Sequence, residues 1–229
     1  MFARLTDARS GLTVSGDFYD FIPITADRVG VVVGDVSGKG MPAALLMTSV
    51  RAAVRAWTNN GYCASEVITR VNDSIWQETS SNNFVTLFYG VLDTKAKTVT
   101  YCNAGHNPPI VLRKDKAEFE FLEAGGIPLG MFSSQKYTDG AIQLGKGDLV
   151  VLYTDGVTEA MNSSDEFFGD EKLQSIIKRR SSFRSSSYEV AYRDHSASEL
   201  LDEIRNQVDS FIGDASRFDD MTLVIIKAL

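Results

Sequence analysis

From Val29 to Gly34 the chain is an almost unbroken β-branched run, which predicts a buried strand ending at Asp35. A glycine-rich turn, Gly38-Lys39-Gly40, follows, and Pro42 suits the first turn of a helix. Leu46, Val50, Ala53, Val54 and Trp57 then recur at helical spacing, and beyond Gly61 so do Ala64, Val67, Ile68, Val71 and Ile75. Two amphipathic helices are expected, at 42–58 and 63–79. The period then changes. Phe84 to Leu92 and Thr98 to Tyr101 flank the polar connection Asp93 to Lys97, the pattern of a hairpin. Short strands are predicted at Ile110 to Leu112, Phe119 to Leu122, Gly140 to Leu144 and Leu149 to Tyr153, each bounded by Gly, Pro, Asp or Lys. A helix around Asp170 to Lys178 precedes Arg179 to Ser187, which is dense in Ser and Arg, lacks periodicity and reads as a mobile surface loop. Ser196 with Glu199 has the signature of a capping box opening a final helix, and Met221 to Ile226 closes the chain as a core strand. So many adjacent strands without intervening helices favour antiparallel sheets over a βαβ arrangement, hence an α+β fold.

Composition narrows the function. The 229 residues, 44% hydrophobic and 23% charged, suffice for one well-buried core, so residues 1–229 are read as a single domain. A net charge of -7 argues against holding nucleic acid by broad phosphate neutralisation. Cys63 and Cys102 lack metal-ligand spacing and read as buried, inert thiols in a reducing compartment. No apolar run is long enough to span a bilayer, so no direct membrane contact is expected within this segment. The first residues show no signal peptide, and a cytoplasmic location follows.

The candidate chemistry lies in aspartates. Asp17, Asp35, Asp155 and Asp219-Asp220 stand at strand ends or in turns beside glycine or another acid. Three of these stretches adjoin strands expected to be buried, where a lone ionised carboxylate is expensive unless paired or metal-bound. Carboxylates suit hard ions such as Mg²⁺ and Mn²⁺, and with only two histidines little is on offer to select zinc. Asp-Gly pairs are also ordinary turn chemistry, and spacing alone does not separate the two readings.

Longer strings bear on the choice. Ser15-Gly16-Asp17-Phe18-Tyr19-Asp20, Gly34-Asp35-Val36-Ser37-Gly38-Lys39-Gly40-Met41-Pro42-Ala43-Ala44, Ala104-Gly105-His106-Asn107-Pro108-Pro109, Leu152-Tyr153-Thr154-Asp155-Gly156-Val157-Thr158-Glu159-Ala160 and Asp219-Asp220-Met221-Thr222-Leu223 occur in this order. Together they resemble the stage II sporulation phosphatase branch of the metal-dependent protein serine/threonine phosphatase superfamily. The resemblance covers the chain from about residue 14 onward. It implies a four-layer αββα sandwich, two antiparallel sheets flanked by helices, with two divalent cations, Mn²⁺ or Mg²⁺, at the sheet ends. It assigns Asp35 as the bridging ligand and the Val36 carbonyl as the ligand that follows. Asp17 corresponds to an acid acting directly or through water, while Asp155 and Asp219 are later ligands of the second metal. Asp219 is preferred over Asp220, and Asp20 reads as a supporting or surface acid. Asp35 and Asp17 are accordingly the catalytic candidates. Hydrolysis without a covalent enzyme intermediate is implied. The eukaryotic branch carries a histidine where this chain has Ser37, so the general acid is open between Ser37, His106 and water. His106, beside Gly105 and Pro108-Pro109, reads as a structural residue of a shaped turn, and His195 as solvated.

By the same resemblance the substrate is a phosphorylated protein, an anti-sigma-factor antagonist in a bacterial partner-switching pathway. It also implies an N-terminal sensor in a longer protein, and helices 42–58 and 63–79 that couple a homodimer to metal binding. The alternative is a pseudophosphatase that captures phosphoprotein without turnover, which would have no need of four buried acids.

Overall fold

The valine run becomes a strand whose alternation assigns the layers of the molecule. In the computed structural model, which describes residues 2–7, 16–78, 83–114, 118–181, 196–215 and 219–229, Val32 and Val36 face a core shared with two helices, whereas Val31 and Val33 face a second core formed against another sheet. Both faces are buried, which is why the run is continuous and not alternating. In chain order the elements are β1 (Phe2–Asp7), β2 (Phe18–Pro23), β3 (Arg28–Val36), α1 (Met41–Thr58), α2 (Ala64–Glu78), β4 (Val85–Asp93), β5 (Thr98–Ala104), β6 (Ile110–Leu112), β7 (Phe119–Phe121), β8 (Gly125–Gly126), β9 (Gly140–Gln143), β10 (Leu149–Tyr153), α3 (Asp155–Thr158), α4 (Gly169–Ser181), α5 (Ala197–Ile212) and β11 (Met221–Lys227).

One sheet has the order β1-β11-β10-β6-β7 and the other β2-β3-β4-β5-β8, with β9 also paired to β5. The expected antiparallel pairing holds except at β8, whose short stretch runs parallel to β5 through Asn103 and Gly125. Helices α1 and α2 cover the outer face of the second sheet, where Val50, Val54, Val67, Ile68 and Val71 meet Val32, Leu87 and Tyr89. Helices α4 and α5 cover the first, where Leu173, Ile176, Leu200, Ile204 and Val208 meet Val151, Leu223 and Ile225. Between the sheets lie Phe88, Tyr101, Val111, Leu152 and Val224. These cores make the four-layer αββα sandwich, and each fully buried valine or leucine contributes about 1.5–3 kcal/mol.

Local signals explain the helix starts. Pro42 lies in the first turn of α1. At α5 the Ser196 hydroxyl accepts from the Glu199 N–H at 3.2 Å while Glu199 Oε2 accepts from the Ser196 N–H at 2.8 Å, a complete capping box. Two expectations need correction. Cys102 is buried and its thiol is pushed up to about 12 by burial, but Cys63 is exposed because it lies just ahead of α2, where its N–H donates to Glu66. Asp20, read as a supporting or surface acid, is only 6% exposed and accepts from Arg55 through both oxygens, at 2.5 and 2.6 Å, and from Arg51 at 3.0 Å. It fastens α1 to β2. From residue 182 the Ser/Arg stretch lies outside the described residues, as does His195. Among the described residues no helix is long and apolar enough to cross a membrane.

The Asp20 clamp has a pH signature. The Arg55 and Arg51 hydrogen bonds outweigh the cost of burial and hold its carboxyl below the usual range. A depressed native pKa stabilises the fold above the unfolded carboxylate value and is lost as pH falls through the native one. Both arginines are about half exposed, so the expected cost of Asp20→Asn is modest, about 1–2 kcal/mol at pH 7, and falls away in acid once pH drops below the depressed native value. Urea unfolding at pH 7 and in acid measures this; an equal loss at both would show that charge is not what matters.

Candidate metal-binding active site

Antiparallel register gathers the acids. Phe18 pairs with Gly34, which sets Asp17, just before β2, beside Asp35 near the end of β3. In the other sheet Tyr153 pairs with Leu223, which sets Asp155, just after β10, beside the Asp219-Asp220 pair just before β11. The two sheets turn these ends toward each other, and Thr154 joins them. Its hydroxyl donates to Asp17 Oδ2 at 2.6 Å and accepts from the Thr222 N–H at 2.9 Å, while its own N–H donates to the Thr222 carbonyl at 3.1 Å. Thr154 is 0% exposed and Asp17 7%.

Glycines make the approach possible. A Cβ at Gly16 would lie 2.8 Å from the Val36 carbonyl oxygen and 3.2 Å from Asp35 Oδ1, so that carbonyl is packed directly against the Asp17 loop. A Cβ at Gly156 would overlap the backbone oxygen of Asp220. The Asp155 turn and the Asp219 segment are therefore in backbone contact.

The carboxylates feel one another. Burial pushes Asp17 up to about 9; the Thr154 hydrogen bond opposes this, and the charge of Asp35 adds to it. Asp35 is pushed up to about 6 by burial and then by Asp155, with a hydrogen bond from Asp17 opposing and Asp219 contributing further. Asp155 is raised by burial and then by Asp219. Asp219, not Asp220, is the acid whose charge reaches Asp35 and Asp155. Glu159, to which the sequence reading gave no role, is raised by burial and then by Asp155 and Asp219; the signal was its position four residues after Asp155. Lys39 is the nearby counter-charge, 3.2 Å from Asp219 Oδ1.

These groups are neighbours and not a closed cage: among the described residues no three His, Cys, Asp or Glu side chains stand at metal-holding spacing. Their chemistry nevertheless fits hard divalent cations. All the donors are oxygens, and burial together with mutual repulsion raises the proton affinity of Asp17, Asp35 and Asp155, which a cation between them would relieve. A titration follows from this. In the metal-free protein the folded state keeps protons that the unfolded chain has released, so stability is expected to fall as pH rises from the ordinary carboxylate range toward 9. Mn²⁺ loading at pH 7 should then expel protons and weaken as pH drops from about 8 to about 6. Calorimetry in two buffers of different ionisation enthalpy reads the proton count; a heat independent of buffer at pH 7 would remove Asp17 as a ligand.

The two protein candidates for general acid are otherwise engaged. Ser37 Oγ accepts from the Phe84 N–H at 2.9 Å and the Ser37 N–H donates back to the Phe84 carbonyl at 3.0 Å, tying the Gly38-Lys39-Gly40 loop to β4. His106 is 5% exposed and is pushed down to about 4 by burial, so it is neutral. Its Nδ1 meets the Thr86 hydroxyl at 2.9 Å, and its backbone is clipped on both sides by the Asn103 amide. This is the structural role expected of it.

The chain is similar to known proteins in sequence and in fold. The family model described as Stage II sporulation protein E (SpoIIE) matches residues 25–229. Phosphoserine phosphatase RsbU of Bacillus subtilis (strain 168) is 30% identical over 216 residues, 93% of this chain and 59% of that protein. Protein IcfG of Synechocystis sp. is 29% identical over 241 residues, 93% of this chain and 36% of that protein. The chain thus spans 59% and 36% of the lengths of these curated relatives. Among solved structures, the SiaA-PP2C domain of Pseudomonas aeruginosa aligns over 99% of this chain and 85% of its own with a TM-score of 0.80 at 17% identity. The PP2C phosphatase domain of SpoIIE from Bacillus subtilis, solved with a fragment of its regulatory domain, aligns over 99% of this chain and 62% of its own with a TM-score of 0.77 at 20% identity. With the family model matching nearly the whole chain and both structures sharing its four-layer sandwich, this chain belongs to the SpoIIE family and has the PP2C phosphatase fold.

Proposed function

We propose that this chain is a metal-dependent protein phosphatase that hydrolyses phosphoserine or phosphothreonine, with residues 1–229 acting as one catalytic domain. The observation that carries the reading is the meeting of Asp17, Asp35, Asp155 and Asp219, from four distant stretches, at one end of both sheets, each of the first three with its proton affinity raised. The ligand set is Asp17, Asp35, the Val36 carbonyl, Asp155 and Asp219. Two Mg²⁺ or Mn²⁺ ions held there supply positive charge to the phosphoryl oxygens and make water a better nucleophile. The protein's part is positioning. Asp35, which feels acids of both sheets, would be the ligand shared by the two halves of the site, and Thr154 fixes the Asp17 carboxyl through its 2.6 Å hydrogen bond. Gly16 and Gly156 let the backbones close around the site, and Ser37 and His106 brace the flanking turns. His106 is buried and neutral, and water is the proposed source of the leaving-group proton.

The substrate is a protein phosphorylated on serine, of the anti-sigma-factor antagonist class. This is supported by the 30% identity to a protein named phosphoserine phosphatase RsbU and by a TM-score of 0.75 to the RsbU and RsbW domains of a Mycobacterium tuberculosis protein. The proposed setting is the cytoplasm, with helices α1 and α2 coupling a homodimer to metal loading; the net charge of -7 argues against nucleic acid as a partner. Phosphate release from a phosphoserine peptide tests the activity. It should require Mn²⁺ or Mg²⁺, stop on chelation, and fail in Asp155→Asn and Asp219→Asn with weakened metal binding. A metal-loaded wild-type protein that binds the phosphopeptide without releasing phosphate would instead be a capture module.

A further inference from the structure

Beside the acids lies a cavity of about 250 Å³ that no step above uses. Gly156, Asp219 and Glu159 form its edge toward the acids, Val208 and Ile212 of α5 with Met221 supply apolar lining, and Ala160, Met161 and Phe167 contribute the remaining wall. That wall is built and not merely left open. The Phe168 N–H donates to the Ala160 carbonyl at 2.8 Å, and Met161 bridges Phe167. The enclosed turn is fixed by Asn162, whose Oδ1 accepts from the Ser164 and Glu166 N–H groups at 2.9 and 3.0 Å. Phe167 stands at the rim, 55% exposed, so its ring is available to a side chain entering the cavity.

We propose that this cavity is the specificity subsite for the substrate protein, taking one apolar side chain from the sequence flanking its phosphoserine. The inference rests on the phosphatase reading. Asp219, whose charge reaches Asp35 and Asp155, and Gly156, which follows Asp155, are themselves part of the cavity wall, so a phosphoserine held at the acids has its flanking residues within reach of it. Size chooses the occupant. Pockets for small-molecule ligands run from about 300 to 1,000 Å³, so a space of about 250 Å³ suits one leucine- or phenylalanine-sized side chain better than a cofactor. Its apolar lining favours an apolar side chain, and the acids at its edge, Glu159 and Asp219, select against an acidic one, which would lose its hydration and meet like charge on entry.

The test uses the full chain loaded with Mn²⁺ and phosphoserine peptides carrying Leu, Ala or Glu at each position within about three residues of the phosphoserine. A Leu at one position should lower KM about tenfold relative to Ala there, the worth of filling an apolar pocket, with Glu poorer still. Ala160→Leu, which fills the cavity, and the rim variant Phe167→Ala, which cannot disturb the core, should both erase that preference and leave turnover of p-nitrophenyl phosphate unchanged. Equilibrium binding of the same peptides is measured alongside, independent of turnover. A flat preference at every position, or one that survives both variants, overturns the subsite while leaving the phosphatase intact. A Leu preference in binding without any phosphate release keeps the subsite and overturns hydrolysis.

Discussion

Asp35→Asn is expected to lower phosphatase turnover by about a thousand-fold, since losing the group between the two sheets removes several kcal/mol of transition-state charge stabilisation. Asp35 alone is raised by both Asp155 and Asp219 while also hydrogen-bonding Asp17, so its replacement disturbs every other acid. The variant should fold. At pH 8 the wild-type carboxyl, pushed up to about 6, is charged and repelled by its neighbours, so a neutral amide relieves the metal-free protein. The melting temperature without metal should therefore be unchanged or higher, and the rise that Mn²⁺ gives the wild type should disappear. Initial rates with p-nitrophenyl phosphate and melting curves with and without Mn²⁺ measure both effects. Wild-type turnover in the variant would end the proposal that this cluster is the active site.

Gly156→Ala is the second large effect, and it acts through the backbone. Its new methyl would overlap the Asp220 carbonyl oxygen, and no side chain can rotate away to make room. The Asp155 turn and the Asp219 segment must then separate. Overpacking of this kind costs about 1–3 kcal/mol or more. Because the strain falls between two proposed ligands, metal affinity should drop along with stability, whereas a core substitution of equal cost elsewhere would leave affinity intact. Denaturant unfolding of the metal-free protein and Mn²⁺ calorimetry separate the two quantities. A variant that unfolds and binds Mn²⁺ like the wild type would mean the two segments are not held together as described.

Much of the frame was readable along the chain because the signals are local. Leu46, Val50, Val54 and Trp57 recur at the helix period, and α1 forms there. Ser196 and Glu199 sit at capping distance, and both reciprocal hydrogen bonds exist. The boundaries of β6 and β10 agree with the pattern because turn residues bracket both runs. Strand β2, Phe18–Pro23, was missed because the polar Tyr19 and Asp20 interrupt so short a run; Asp20 is buried only because two arginines 31 and 35 residues away turn back to it. The one-turn helix α3 and the parallel Gly125–Gly126 pairing are too short to leave a period at all.

Along the chain alone, then, were determined the four longer helices, most strands, the α+β class and the aspartates of the candidate site, since each depends on residues a few positions apart. Only the folded chain decided that Thr154 ties Asp17 to β11, that Asp219 and not Asp220 acts on Asp155, that Glu159 joins the cluster, and that a cavity opens beside them. Each of these needs two sheets to be paired in register and then stacked. A hydrogen bond across 137 residues, like the field of one carboxylate at another, depends on distance in space, which separation in sequence does not encode.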